Sequence, residues 1–374
     1  MRLTISSTAL ASRLSALSKV FNSKNSLPIL DCYLFDVKDG MLTITASDSE
    51  NVMTATLQLE ESDSNGTFAV NNRTISDAVR ELPEQPLTLD VNMSTYAIKV
   101  IYMNGIYNFT GESGEEYPRP QQLSDGAATI IIESKLLAGD ISHSIFATAN
   151  EELRPVMNGI FFDLTQDALA IVASDGHKLV RTLNKNIKTE TPTSFIMPKK
   201  PAALLKGVMA KNDEEVMIRF DERNANISFP GGTLTCRLIE GKYPNYNSVI
   251  PQNNPNQLTI DRQTLLGVIR RVLPFASDSS HQVRLHIESG KIVISSEDID
   301  FYTSAKEEIV CDYEGNPMDI GFKGTSLTEI LANLECEEVI LQLADPSRPC
   351  LIIPAQQSEN EDVLMLLMPM LLND

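Results

Sequence analysis

Tryptophan is absent from this 374-residue chain, and histidine and cysteine are scarce, at four and five residues. The cysteines (Cys32, Cys236, Cys311, Cys336 and Cys350) are odd in number and form no C-x-x-C pair. That spacing argues against a disulfide framework and a zinc site, and fits a reducing cytoplasm. Basic charge is also short: 31 Lys and Arg against 50 Asp and Glu give a net −19. On the sum alone a nucleic-acid partner is disfavoured, because such proteins usually carry a basic excess. No apolar run reaches the roughly 20 residues that span a bilayer, so no membrane partner is expected. The apolar stretch at 363–372 reads as a buried strand. The first residues are apolar too, but Arg13 and Lys19 interrupt them, and Leu10, Leu14, Leu17 and Phe21 share one helical face. An amphipathic helix of the mature protein is expected there, not a secretion signal.

Reactive constellations are missing as well. The chain has no G-x-x-x-x-G-K-[ST] phosphate loop, no G-x-G-x-x-G, no H-E-x-x-H and no calcium loop. No cofactor and no metal site are expected. His177 stands beside Ser174 and Asp175, which invites a hydrolase reading. Neighbours on a strand or tight turn point in different directions, however, and cannot align as nucleophile, base and orienter. Ser-Asp followed by a strand is better read as a turn capped by its own side chains.

What the chain does contain is one pattern three times. SDSENVM begins at Ser47, SDGHKLV at Ser174 and a weaker echo, SEDIDFY, at Ser296. FAVNNR, FIMPKK and IGFKGT follow at Phe68, Phe195 and Ile320. The first two copies keep a shift of 127 residues from 3 to 130, from 48 to 175 and from 68 to 195. Units of this size bury their own cores, so three tandem domains are expected, at 1–126, 127–253 and 254–374. A threefold body with no reactive cluster reads as a scaffold rather than a catalyst.

Hydrophobic periodicity places two helices in each unit, at 7–20 and 73–82, 134–149 and 199–212, 261–276 and 324–335. The remainder alternates like strands, with turns at Asn104-Gly105, near Asn224, at Gly231-Gly232 and at Asp345-Pro346. Linkers are expected near 121–126 and 252–257. The fold class is α+β, with two helices and about eight mostly antiparallel strands per domain. The six helices carry twelve basic residues (Arg13, Lys19, Arg73, Arg80, Lys135, Lys199, Lys200, Lys206, Lys211, Arg262, Arg270, Arg271) against six acids, a balance of +6 that leaves −25 elsewhere. Distribution outweighs the sum: one class of element is basic within an acidic body.

LPIL at Leu27–Leu30, NGIFF at Asn158–Phe162, ASDGHKL at Ala173–Leu179, GKYPNYNSVIP at Gly241–Pro251 and MPM at Met368–Met370 resemble the bacterial DNA polymerase sliding clamp, the beta subunit of the replicative polymerase. The resemblance covers the whole chain. It implies a ring-shaped, head-to-tail homodimer with helices inside and sheets outside. Such a ring encircles double-stranded DNA without sequence preference and tethers the polymerase catalytic subunit. A clamp loader and other clamp-binding polymerases and repair proteins would be further partners.

It also implies site residues. Lys24, Arg73, Lys199 and Lys200 would face DNA. A peptide groove between the middle and last domains would be lined by Arg154, Val156, Met157, Ser174, Gly176, His177, Lys178, Leu179, Pro244, Ser248 and Val249. The tail would complete it with Leu366, Leu367, Met368, Pro369, Met370, Leu371 and Leu372. The dimer interface would bring Tyr107 and Phe109 against Pro274 and Phe275, with Glu297, Asp298 and Asp300 for rim charge pairs. The chain departs from the family where Leu371 replaces a usual basic residue, Ser248 a common arginine and Pro155-Val156 an aromatic pair. Asn373-Asp374 also extend past the usual terminal leucine. A more apolar, less basic groove follows. The expected reading is a non-catalytic processivity factor, with a repeat-built protein scaffold and a His177-based hydrolase as the alternatives.

Overall fold

The computed structural model describes residues 1–23, 25, 27–209 and 214–372. Lys24, Lys211, Asn373 and Asp374 lie outside the described residues. Each repeat contributes two helices: α1 (Ser7–Leu17) and α2 (Asn72–Arg80), α3 (Ser134–Ile145) and α4 (Lys199–Met209), α5 (Arg262–Val272) and α6 (Gly324–Ala332). Three starts have a side-chain cap. Ser6 accepts the N–H of Ala9 at 3.1 Å, Asn71 that of Thr74 at 3.2 Å, and Asp261 that of Thr264 at 2.7 Å. Each cap satisfies an otherwise orphaned donor, for about 1 kcal/mol. Apart from α4, whose expected end falls outside the described residues, the α-helices end earlier than periodicity indicated. Ser18–Val20 and Leu273–Phe275 continue α1 and α5 as 3-10 turns, with Pro274 breaking the α pattern.

The described chain divides into two compact units, Met1–Ala138 with Lys200–Leu238, and Gly139–Lys199 with Ile239–Asp374. The middle repeat is thus shared. All the paired strands are antiparallel. The first unit holds a five-stranded and a nine-stranded sheet, the second an eight-stranded and a four-stranded one.

In the first unit the strands Asn51–Gln58 and Gly232–Arg237 pair directly, joining first-repeat and second-repeat strands into one sheet. Gly232 is required at this join, because a β-carbon there would strike the Thr54 carbonyl. In the second unit Lys178–Asn184 pairs with Glu361–Leu367 in the same way. The apolar 363–372 run is therefore a buried strand through Leu367, followed by a partly exposed tail. Beneath this sheet α5 and α6 bury Leu265, Val268, Ile269, Leu327, Ile330 and Leu331, each contributing about 1.5–3 kcal/mol by leaving water. Two hairpins turn one residue earlier than expected: Gly105 already pairs with Tyr102, and Gly232 with Phe229. The second linker is also shorter, since the strand Asn256–Asp261 starts inside it.

The Ser-Asp motif is the turn that the sequence indicated. Asp48 Oδ1 accepts the N–H groups of Glu50 and Asn51, at 3.0 and 2.7 Å. Asp175 Oδ1 accepts those of His177 and Lys178, both at 2.9 Å. The residue between needs a left-handed backbone: Ser49 has φ +81° and Gly176 φ +89°. The third echo is looser, with Asp298 Oδ1 accepting only the Phe301 N–H at 3.1 Å.

Candidate functional site

The residues expected to line a groove come from four segments of the second unit. Arg154, Val156 and Met157 sit at a 3-10 turn, Pro155–Met157, closed by the Met157 N–H on the Arg154 carbonyl at 3.0 Å. Ser174 to Leu179 form the Asp175 turn and the strand after it. Pro244, Ser248 and Val249 lie at the 3-10 turn Tyr246–Val249. Leu366 to Leu372 supply the last strand and the tail. Turn and tail meet directly, with the Met368 N–H donating to the His177 carbonyl at 2.9 Å. Lys178 and Leu179 pair with Leu367 and Leu366. The tail then reaches the strand Met318–Lys323, where the Met370 N–H donates to the Gly321 carbonyl at 2.8 Å. Gln282 Nε2 holds the Leu371 carbonyl at 2.8 Å.

These segments surround a small apolar cluster separate from the main core. Leu179, Tyr243, Ile250 and Leu366 are buried in it, with Val156 and Phe161 partly buried against it. Phe161 and Tyr243 stack at 4.6 Å, with ring planes 1° apart. Both lie in stretches quoted for the resemblance, NGIFF and GKYPNYNSVIP, but neither was expected among the groove residues. Met157, Leu179, Leu366 and Leu367 are buried and form floor rather than wall. Val249, Met368 and Leu371 are exposed, as is Leu153, at 93%, which sequence reasoning also missed. The guanidinium of Arg154 lies over Gly176 and pairs with Glu151 at 3.0 Å, so the rim cation is partly neutralised.

Lys178 differs most from its expected role. Its ammonium is buried, 2.9 Å from Asp175 Oδ2 and 3.1 Å from Glu329 Oε2 on α6. Burial works against charge on Asp175, but the Lys178 and His177 N–H groups and the Lys178 ammonium outweigh it. The carboxyl titrates below its ordinary range. Burial likewise works against charge on Lys178, but Asp175 and Glu329 outweigh it and hold its pKa above that of a free lysine. Ser174 Oγ donates to the Lys178 carbonyl at 2.9 Å. The Ser174 hydroxyl and the Asp175 carboxylate are thus both engaged in shaping the turn, and neither bond runs to the His177 ring.

Of the expected DNA-facing residues, Arg73 and Lys199 are exposed in the first turns of α2 and α4. Lys200 is not free. Its ammonium donates to Asp48 Oδ2 at 2.5 Å, the Val20 carbonyl at 2.6 Å and Asn22 Oδ1 at 2.7 Å. Two other helix cations are similarly engaged. Arg262 donates to the Cys336 and Leu331 carbonyls beyond and at the end of α6, and Arg271 pairs with Glu307 at 2.7 Å. The +6 counted over the helices therefore overstates the charge presented to solvent.

Of the eight strands that end the four sheets among the described residues, two carry or adjoin the residues expected at the dimer interface. Gly105–Thr110 ends the five-stranded sheet and carries Tyr107 and Phe109; Thr303–Val310 ends the four-stranded sheet. Ile106 and Val310 on these edges are exposed at 51% and 84%. Pro274 and Phe275 are exposed beside the second edge's sheet, as are Glu297 and Asp300. Asp298 is buried at 8% exposure and caps the hairpin instead, which removes it from the rim charges.

Models of the DNA polymerase III beta subunit match the chain in order: the N-terminal domain over residues 1–121, the central domain over 131–245 and the C-terminal domain over 247–371. The beta sliding clamp of Pseudomonas putida is 26% identical over 371 residues, covering 99% of this chain and 100% of its own. That of Haemophilus influenzae is 26% identical over 370 residues, covering 98% and 99%. Among solved structures, the DNA polymerase III beta subunit of Thermotoga maritima has a TM-score of 0.89 at 27% identity, covering all of both chains. A Pseudomonas aeruginosa sliding clamp bound to griselimycin has a TM-score of 0.93 at 24% identity, again over all of both chains, a likeness of fold.

Proposed function

This chain belongs to the DNA polymerase III beta subunit family, and on that premise we propose that it is a replication processivity clamp. It catalyses nothing itself. As a head-to-tail homodimer it closes around double-stranded DNA, opened and placed by a clamp loader. It tethers the polymerase catalytic subunit, and other clamp-binding polymerases and repair proteins, through the groove of the second unit. The cytoplasm is its place of action, and the three domains run at 1–126, 127–253 and 254–374.

One observation carries the closed form. Gly105 and Gly232 are 127 residues apart and open equivalent strands. The copy at Gly232–Arg237 pairs with Asn51–Gln58, and the copy at Glu361–Leu367 pairs with Lys178–Asn184. The leftover strands are Gly105–Thr110, of the first kind, and Thr303–Val310, of the second. A second copy offering the missing partner at each edge repeats the join already used twice, and covers two edges prone to aggregation. Arg73 and Lys199 supply phosphate contacts that hold the duplex without reading its sequence.

Closure separates this protein from an ordinary DNA binder. Loaded by its cognate loader onto nicked circular plasmid, the clamp stays bound through a high-salt wash and is lost when the plasmid is linearised. Contact-based binding does the reverse, collapsing with salt whatever the DNA topology. Loss from intact circles in salt would overturn the proposal.

A further inference from the structure

The groove turn is braced from a helix that lines none of the groove. Asp175 shapes the turn with one oxygen and holds Lys178 with the other. The far side of the Lys178 ammonium rests on Glu329, on α6 of the following repeat. The same turn carries the His177 carbonyl on which the tail starts, so movement of Asp175 moves the tail.

The first unit has a counterpart with the polarity reversed. There Asp48 occupies the place of Asp175, and Asn51, in the place of Lys178, donates to both its oxygens, at 3.2 and 3.0 Å. The following repeat's helix, α4, supplies the cation, Lys200. Two junctions thus reach one mechanical result by different charges. A chance surface pair would have no reason to recur at the equivalent turn.

We infer that Glu329 is a positioning residue for the peptide groove. Through Lys178 it fixes the Asp175 turn, and with it the first tail residues, against α6, so that the partner meets a pre-ordered wall. Without Glu329, a buried lysine keeps a single carboxylate, and the turn gains freedom that binding must remove. The inference rests on the groove reading, because it presumes that a partner docks there.

The test is Glu329→Gln in the full-length chain, measured by surface plasmon resonance on immobilised cognate polymerase catalytic subunit. Glu329→Asp, which keeps a carboxylate on α6, is measured beside it, and a chain ending at Leu367 serves as the groove control. Glu329→Gln is expected to weaken binding about tenfold, chiefly through faster dissociation, with Glu329→Asp weakened less. Faster hydrogen exchange at the 176–178 amides and at Met368, at an essentially unchanged melting temperature, should accompany it. Affinity within twofold of wild type overturns the inference. So does weakening without faster exchange, which would mean that Glu329 touches the polymerase itself. If the truncated control binds like wild type, the groove reading fails instead.

Discussion

Asp140 on α3 is 7% exposed, and its Oδ2 has no hydrogen-bond partner among the described residues. Burial pushes its carboxyl up to about 7; the nearby Thr182 hydroxyl opposes the rise and Glu361 adds to it. A raised carboxyl favours the folded state only while protonated. Its contribution is complete below the unfolded value near 4 and is lost as pH climbs through about 7. The corresponding penalty at alkaline pH is on the order of 4 kcal/mol. Asp140→Asn should therefore melt higher than wild type at pH 8, with the advantage vanishing near pH 4; equal melting temperatures at both would refute this. The fate of single charges was the least legible aspect of the sequence. The Asp48 and Asp175 turns could be read because their bonds are local, spanning three residues. Lys178, Lys200 and Asp298 could not: Lys178 is held in part, and Lys200 wholly, by groups on other elements, and Asp298 is buried by the three-dimensional course of its hairpin.

Elements were legible to about one turn. The six helices stand where hydrophobic spacing put them, and α1 and α5 stop short of their expected ends because periodicity does not register where α gives way to 3-10 geometry. Strand existence was equally clear, but the partnership of Asn51–Gln58 with Gly232–Arg237 was not, since alternation marks a strand and not its neighbour. The tail illustrates both limits. Its apolar run announced a buried strand, yet only the structure shows it bending after Leu367 onto Gly321. Because Met368–Leu372 hangs from the Asp175 turn and adds one isolated bridge to the strand Met318–Lys323, removing 368–374 should leave the fold and the assembled mass unchanged. Polymerase binding should be abolished. A truncated protein that still supports processive synthesis on primed circular template would place the docking site elsewhere.

At the scale of the whole molecule, the threefold repeat carried most of the functional reading, because an unmatched edge becomes visible only when its equivalents are matched. Local docking and closure are then separable properties. The proposed groove lies within one chain, whereas the proposed closure needs the Gly105–Thr110 edge of one copy and the Thr303–Val310 edge of another. Phe275 is 40% exposed at the rim of the second edge's sheet, and Phe109 lies on the first edge. Replacing both with aspartate puts two unpaired carboxylates into the contact, a desolvation cost of several kcal/mol. Light scattering of wild type should then give about 83 kDa, twice the 41.3 kDa chain, and the double variant a single chain mass. The monomer should still bind immobilised polymerase with wild-type affinity, yet fail to persist on nicked circles after a salt wash. A double variant that remains dimeric and stays on the circles would show that closure runs through some other surface.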